Sequence, residues 1–115
     1  MLFKKKEDNI DYHLGFKIVG STFKNDDGSK RQDILKSLKN GDTIGLKTYD
    51  FQGRTAIGVY TCDGKQIGNI KEEDIPYALD KMKIMRRTHI DYIDKFNDGF
   101  GKTIYYAYVV IHFHK

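Results

Sequence analysis

Short alternating runs of apolar and polar residues, separated by turn residues, fill most of this chain. In Gly15–Gly20, Phe16 and Ile18 face one way and Lys17 and Val19 the other, which predicts a first strand. Asn25-Asp26-Asp27-Gly28 reads as a turn. Ile34, Leu35 and Leu38 then recur at helical spacing, with Ser29 and Gln32 placed for a capping box and Asn40-Gly41 as the stop. Period two returns in Asp42–Tyr49, Thr55–Cys62 and Lys65–Ile70, the last two joined by the hairpin signal Asp63-Gly64. Tyr49–Arg54 reads as a loop, and Gly68 as a place of close backbone approach. A second helix is expected over Lys71–Lys83, with Pro76 in its first turn and Ile75, Leu79 and Met82 as its apolar stripe. Ile84–Phe96 and Lys102–His114 form a long hairpin through Asn97–Gly101, with Thr88, Ile90 and Tyr92 sharing one face. Residues 1–13 carry no clear period and read as a tail or an edge segment.

Six strands and two helices in 115 residues make one mainly β domain with two helices (α+β). With this many strands, a small OB-like six-stranded β-barrel is the expected way to close the edges. The domain is expected over 14–115, with core motifs in 16–83 and the hairpin in 85–114. No repeat or linker interrupts it. Composition narrows the class further. No apolar run approaches a membrane span, and Lys4-Lys5-Lys6 is not followed by the apolar segment of a signal peptide. One cysteine, Cys62, cannot form an internal disulfide, so a cytoplasmic location is expected. A net charge of +4 permits a nucleic-acid partner without demanding one.

Candidate chemistry is sparse. There is no P-loop, no dinucleotide fingerprint, no convincing nucleophile–histidine–acid set, and the acids are scattered, so neither enzymatic activity nor a cofactor is expected. His112 and His114 share a strand face and His89 sits on the neighbouring strand, a set able to hold zinc; an exposed strand end is the simpler reading, and no metal is assigned. Cys62 reads as a strand-end residue before Asp63-Gly64 rather than a nucleophile. Lys30, Lys36 and Lys39 read as a solvated helix face, and Lys4–Lys6 as a solvated tail that could also touch a polyanion. Arg31 is unusual: a cation in the first turn opposes the helix dipole, which hints at a tertiary or ligand role. Phe23, just past the first strand and beside Lys24, is either core or a platform on which a base can stack.

Five separate motifs resemble those of the HIRAN domain: F-x-I-V-G at 16–20, R-Q at 31–32, G-D at 41–42, A-I-x-V at 56–59 and D-G-x-x-I-G at 63–68. They cover about half the chain; the second helix follows more loosely, and residues from about Met85 onward look like an individual extension. The resemblance implies an OB-like barrel with two helices. It also implies a groove that, in fork-remodelling helicases of the SWI/SNF class, holds the 3′ end of single-stranded DNA. Carried onto this chain, the base-stacking aromatic is Phe23, the residues near the backbone are Ser21 and Thr22, and the segment after I-G contributes Asn69 and Lys71. The family's tyrosine–aspartate pair, whose aspartate engages the terminal hydroxyl, is replaced by Gln52-Gly53, and Asn69 stands where a histidine would be. Arg54 then offers a phosphate contact in place of end recognition.

Two functions compete on this reading. The first is a non-enzymatic module for single-stranded DNA, with its 3′ end left open as the feature held, or for another nucleic acid, in repair or replication and within reach of a larger repair or helicase protein. It would use Ser21, Thr22, Phe23, Lys24, Arg54, Asn69 and Lys71. The second is a protein-interaction module built on the aromatic hairpin Tyr92–Tyr108, with Tyr105, Tyr106 and Tyr108 as the candidate contacts.

Overall fold

The computed structural model describes residues 10–114. Six strands run β1 Tyr12–Val19, β2 Ile44–Phe51, β3 Arg54–Thr61, β4 Gln66–Ile70, β5 Met85–Asn97 and β6 Thr103–Phe113. Helix α1 spans Arg31–Ser37 and α2 spans Ile75–Met82, the latter entered through a 3-10 turn at Glu72–Asp74. One sheet contains all six strands in the order β2-β3-β4-β1-β6-β5, with every pairing antiparallel. The chain is therefore mainly β with two helices, as the alternation predicts.

β1 is the hinge of the sheet. Its first part, Tyr12–Lys17, pairs with β6, and only Ile18 and Val19 pair with β4. The two halves cross closely enough that a methyl at Gly68 would lie 2.1 Å from the Ile18 Cγ2 and 2.7 Å from the Val19 carbonyl oxygen. Only glycine permits that approach, as its position in the sequence predicts. The sheet curls until its edges touch: Thr43 bridges His89, Ile90 N–H donates to the Asp42 carbonyl at 2.8 Å, and Gly41 N–H donates to the Ile90 carbonyl at 2.7 Å. No β2–β5 ladder continues from this contact, so the six strands are not closed into the expected barrel. The reason lies in strand length. β1 covers β6 only as far as Tyr108, so the outer halves of β5 and β6 pair with each other alone and project, and the molecule measures 60 × 32 × 26 Å.

The core fills the concave side. Phe16, Ile18, Ile57, Val59, Ile67, Val109 and Ile111 come from four strands, α1 adds Leu35 and α2 adds Ala78, all nearly or fully buried. Ile34, Leu38, Ile75, Leu79 and Met82 pack around them as the helical stripes predict.

Several expectations are corrected. Tyr12 and His13, read as part of a tail or edge segment, belong to β1 and pair with Phe113 and His112; the Lys4–Lys6 cluster lies outside the described residues. The Tyr49–Arg54 loop is a tight turn: β2 and β3 pair up to Phe51–Arg54, and only Gln52 (φ 52°) and Gly53 (φ 81°) link them. The second helix is shorter than Lys71–Lys83 because the 3-10 turn takes its first residues. In β5 an irregularity between Ile90 and Tyr92 shifts the alternation, so Tyr92 turns outward and Ile93 packs against the core.

The Ser29–Gln32 capping box does not form either. Lys30 occupies the cap position without a side-chain bond, and the Ser29 hydroxyl donates to Asp27 at 2.5 Å. Gln32 spans instead to β6: its Nε2 donates to the Tyr105 carbonyl at 2.8 Å and its Oε1 accepts from the Tyr105 N–H at 2.7 Å. Tyr105 lies just beyond the last β1–β6 pair, where a neighbouring strand no longer serves its backbone. Gln32 acts there as a one-residue strand, and this satisfies more than a cap would.

Candidate nucleic-acid interface

The site is built at the exit of β1. Gly20 turns the chain at φ 71° and leads into Phe23, after which Lys24 and Lys30 bridge to make a small hairpin. That hairpin is tied to β4 and its turn. Asn25 Nδ2 donates to the Gln66 carbonyl at 2.9 Å, and Lys65 Nζ pairs with Asp27 at 2.8 Å. The hydrogen bond from Lys65, followed by those from Ser29, holds the Asp27 carboxyl well below the usual carboxylate range.

A groove of about 620 Å³ lies between this hairpin and the β2–β3 turn. Phe23 lines one wall and Phe51 the other, 65% and 55% exposed. Arg31 is part of the groove lining, yet it is only 9% exposed. Its Nε donates to Asn25 Oδ1 at 2.8 Å and its Nη1 to the Gly20 carbonyl at 2.9 Å. Among the described residues no carboxylate lies within ion-pair reach of its guanidinium. The Asn69 Oδ1 accepts from the Tyr49 hydroxyl and from Gln66 Nε2, which leaves its Nδ2 as the free donor. A Cβ on Gly20 would stand 3.3 Å from Asn69 Nδ2, 3.4 Å from the Phe23 ring and 3.5 Å from Arg31 Nη1, so these three groups converge on one bare backbone position.

A second depression of about 460 Å³ shares Arg31, Tyr49 and Phe51 with the first and continues past Lys24, Lys65 and Tyr60 toward the Asp63-Gly64 turn. Burial pushes the Tyr60 hydroxyl upward from its usual pKa, and the Arg31 charge opposes that shift. The phenol therefore remains a donor at neutral pH.

Of the seven residues expected from sequence, Phe23, Arg54 and Asn69 meet in the groove, and Lys24 lines the adjoining depression. Ser21 does not face it: the side chain is buried, and its hydroxyl donates to the Tyr105 carbonyl at 3.2 Å. Thr22 is exposed but lines neither depression, and Lys71 turns to Glu73 at 3.1 Å. Arg54 is held by Glu72 at 2.7 Å, an exposed pair that a stronger anion can replace. Arg31, Tyr49 and Phe51 were missed as site residues. The signal for Tyr49 and Phe51 was their spacing of two, which places both on one face of a strand; reading that stretch as a loop hid it. Arg31 had declared itself through its misfit with the helix dipole.

The histidines are only partly gathered. His89 Nε2 and His112 Nε2 stand 2.8 Å apart, while His112 Nδ1 faces Asp11 Oδ2 at 3.0 Å and His89 Nδ1 faces its neighbour's carbonyl at 2.9 Å. His114 does not join them, and among the described residues no group of three ligands able to hold a metal occurs. Cys62 is exposed beside the Thr43 carbonyl.

Among the described residues no helix is long and apolar enough to cross a membrane. Comparison with family models, with curated proteins and with solved structures finds no match for this chain.

Proposed function

We propose that this protein is a non-enzymatic, cytoplasmic module that holds a few nucleotides of single-stranded DNA in the groove between the Lys24–Lys30 hairpin and the β2–β3 turn. The observation that carries this reading is a buried arginine without a carboxylate, set between two exposed aromatic rings. Bases stack on Phe23 and Phe51, Arg31 and Arg54 take phosphates, and Asn69 Nδ2 donates to the backbone or a base edge. The motifs shared with HIRAN domains support the same groove, since the aromatic after V-G is Phe23 in both readings. A curled OB-type sheet and a role beside a larger repair or helicase protein belong to this proposal.

Stacking on one aromatic is worth about 1–3 kcal/mol per base. Phe23→Ala and Phe51→Ala should therefore each weaken binding of a short oligothymidine by about 5- to 150-fold in fluorescence anisotropy. Affinity should also fall with added salt. Unchanged affinity in both variants would remove the groove from consideration.

A second reading is favoured by one observation. Phe96 and Phe100 are 52% and 93% exposed on the projecting β5–β6 hairpin, and Tyr92 stacks on Tyr108 with ring centroids 4.8 Å apart. Such a surface suits a protein partner. Of the three tyrosines named for that role, Tyr105 packs against the core, and Tyr106 and Tyr108 remain on the outer face.

A further inference from the structure

We propose that the smaller depression beyond Arg31 receives a terminal phosphate, so that the groove holds the phosphorylated end of a strand in preference to its interior or a terminal hydroxyl. This rests on the groove reading above and adds the chemistry of the strand end. Arg31 lines both cavities and is the group they share at depth. Two of its nitrogens are committed to Asn25 and Gly20, whereas Nη2 bonds to no described residue and is not sealed from solvent. Its two N–H groups are free to meet two oxygens of one anion. Arg31 is nine-tenths buried as a residue with no carboxylate in ion-pair reach among the described residues, and an anion at Nη2 supplies the missing counter-charge.

The surroundings favour a phosphomonoester. The depression runs from Arg31 to Gly64 and the Lys24–Lys30 hairpin, beside the groove, and so offers a place where the end of a strand lying in the groove can be received. Lys24 adds a second cation, and the Tyr60 hydroxyl is a neutral donor on the same wall. Lys65 is neutralised by Asp27, and Asp26 also lies at the rim, so the attraction is local to Arg31 and Lys24 rather than a broad positive field. A terminal monoester carries close to two charges at neutral pH, against one for an internal diester. It therefore gains more from a guanidinium without a counter-charge.

The test uses the full chain and three internally labelled oligothymidines, with a 5′-phosphate, a 3′-phosphate, or hydroxyls at both ends. One phosphorylated strand should bind about tenfold tighter than the hydroxyl strand, and which one identifies the polarity. Inorganic phosphate at millimolar concentration should erase that advantage while leaving the hydroxyl strand bound. Arg31→Gln should equalise the three strands. Because Arg31 also anchors Gly20 and Asn25, Lys24→Gln serves as the variant that leaves those anchors intact, and it should narrow the advantage. Equal affinity of all three strands for the unmodified protein would overturn the end pocket and leave the groove standing. No binding of any strand at low salt would overturn both.

Discussion

At the scale of single residues, the site depends on what is absent from Gly20. Its φ of 71° costs an ordinary L-residue about 1–2 kcal/mol. The missing side chain also leaves room in which Asn69, Phe23 and Arg31 approach one another. Gly20→Ala should therefore lower stability by about 1–2 kcal/mol in urea denaturation and weaken strand binding beyond that loss, because the added methyl pushes directly on three groove groups. A variant with native stability and affinity would mean the corner tolerates a side chain. Phe23, Arg54 and Asn69 were legible because each follows a recognisable punctuation in the chain, a V-G corner, a turn and an I-G pair. Ser21 was misplaced because only the fold reveals that the first residue after that corner points inward, toward Tyr105.

At the scale of elements, alternation located all six strands and both apolar helix stripes, since burial on one face is a local property of sequence. It failed where an element's role is set by a distant neighbour. Gln32 has the spacing of a capping partner, yet it serves a strand 73 residues away. Nothing near Gln32 in sequence announces that Tyr105 lacks a neighbouring strand. Replacing it tests this directly. Gln32→Ala strips the Tyr105 N–H of its partner and leaves the Tyr105 carbonyl only the Ser21 hydroxyl, and at about 1–3 kcal/mol for an unsatisfied buried group the cost should be about 1–3 kcal/mol. Chemical denaturation measures it; a loss under about 0.5 kcal/mol, the level of an ordinary surface change, would show that water replaces the glutamine. The shift in β5 escaped notice for a related reason. An irregularity that turns Tyr92 out and Ile93 in is a property of the pairing with β6, and period-two reading assumes it away.

At the scale of the whole molecule, two surfaces are the candidates proposed for a partner: the groove centred on Arg31, and the outer aromatic face of the β5–β6 hairpin. Sequence indicated both but could not weigh them, because neither the buried state of Arg31 nor the projection of the hairpin is local. The unclosed sheet is of the same kind. Strand count argues for a barrel, while the length of β5 and β6 past the last β1 pair decides that the edges meet at one bridge alone. The most direct test of the central claim is a map of amide and side-chain NMR shifts during titration with an eight-residue oligothymidine at low salt. The account predicts saturable shifts at Phe23, Phe51, Asn69 and the Arg31 guanidinium, with the Tyr92, Phe96 and Tyr106 resonances unmoved. Shifts confined to the hairpin, or no shifts at all, would contradict it.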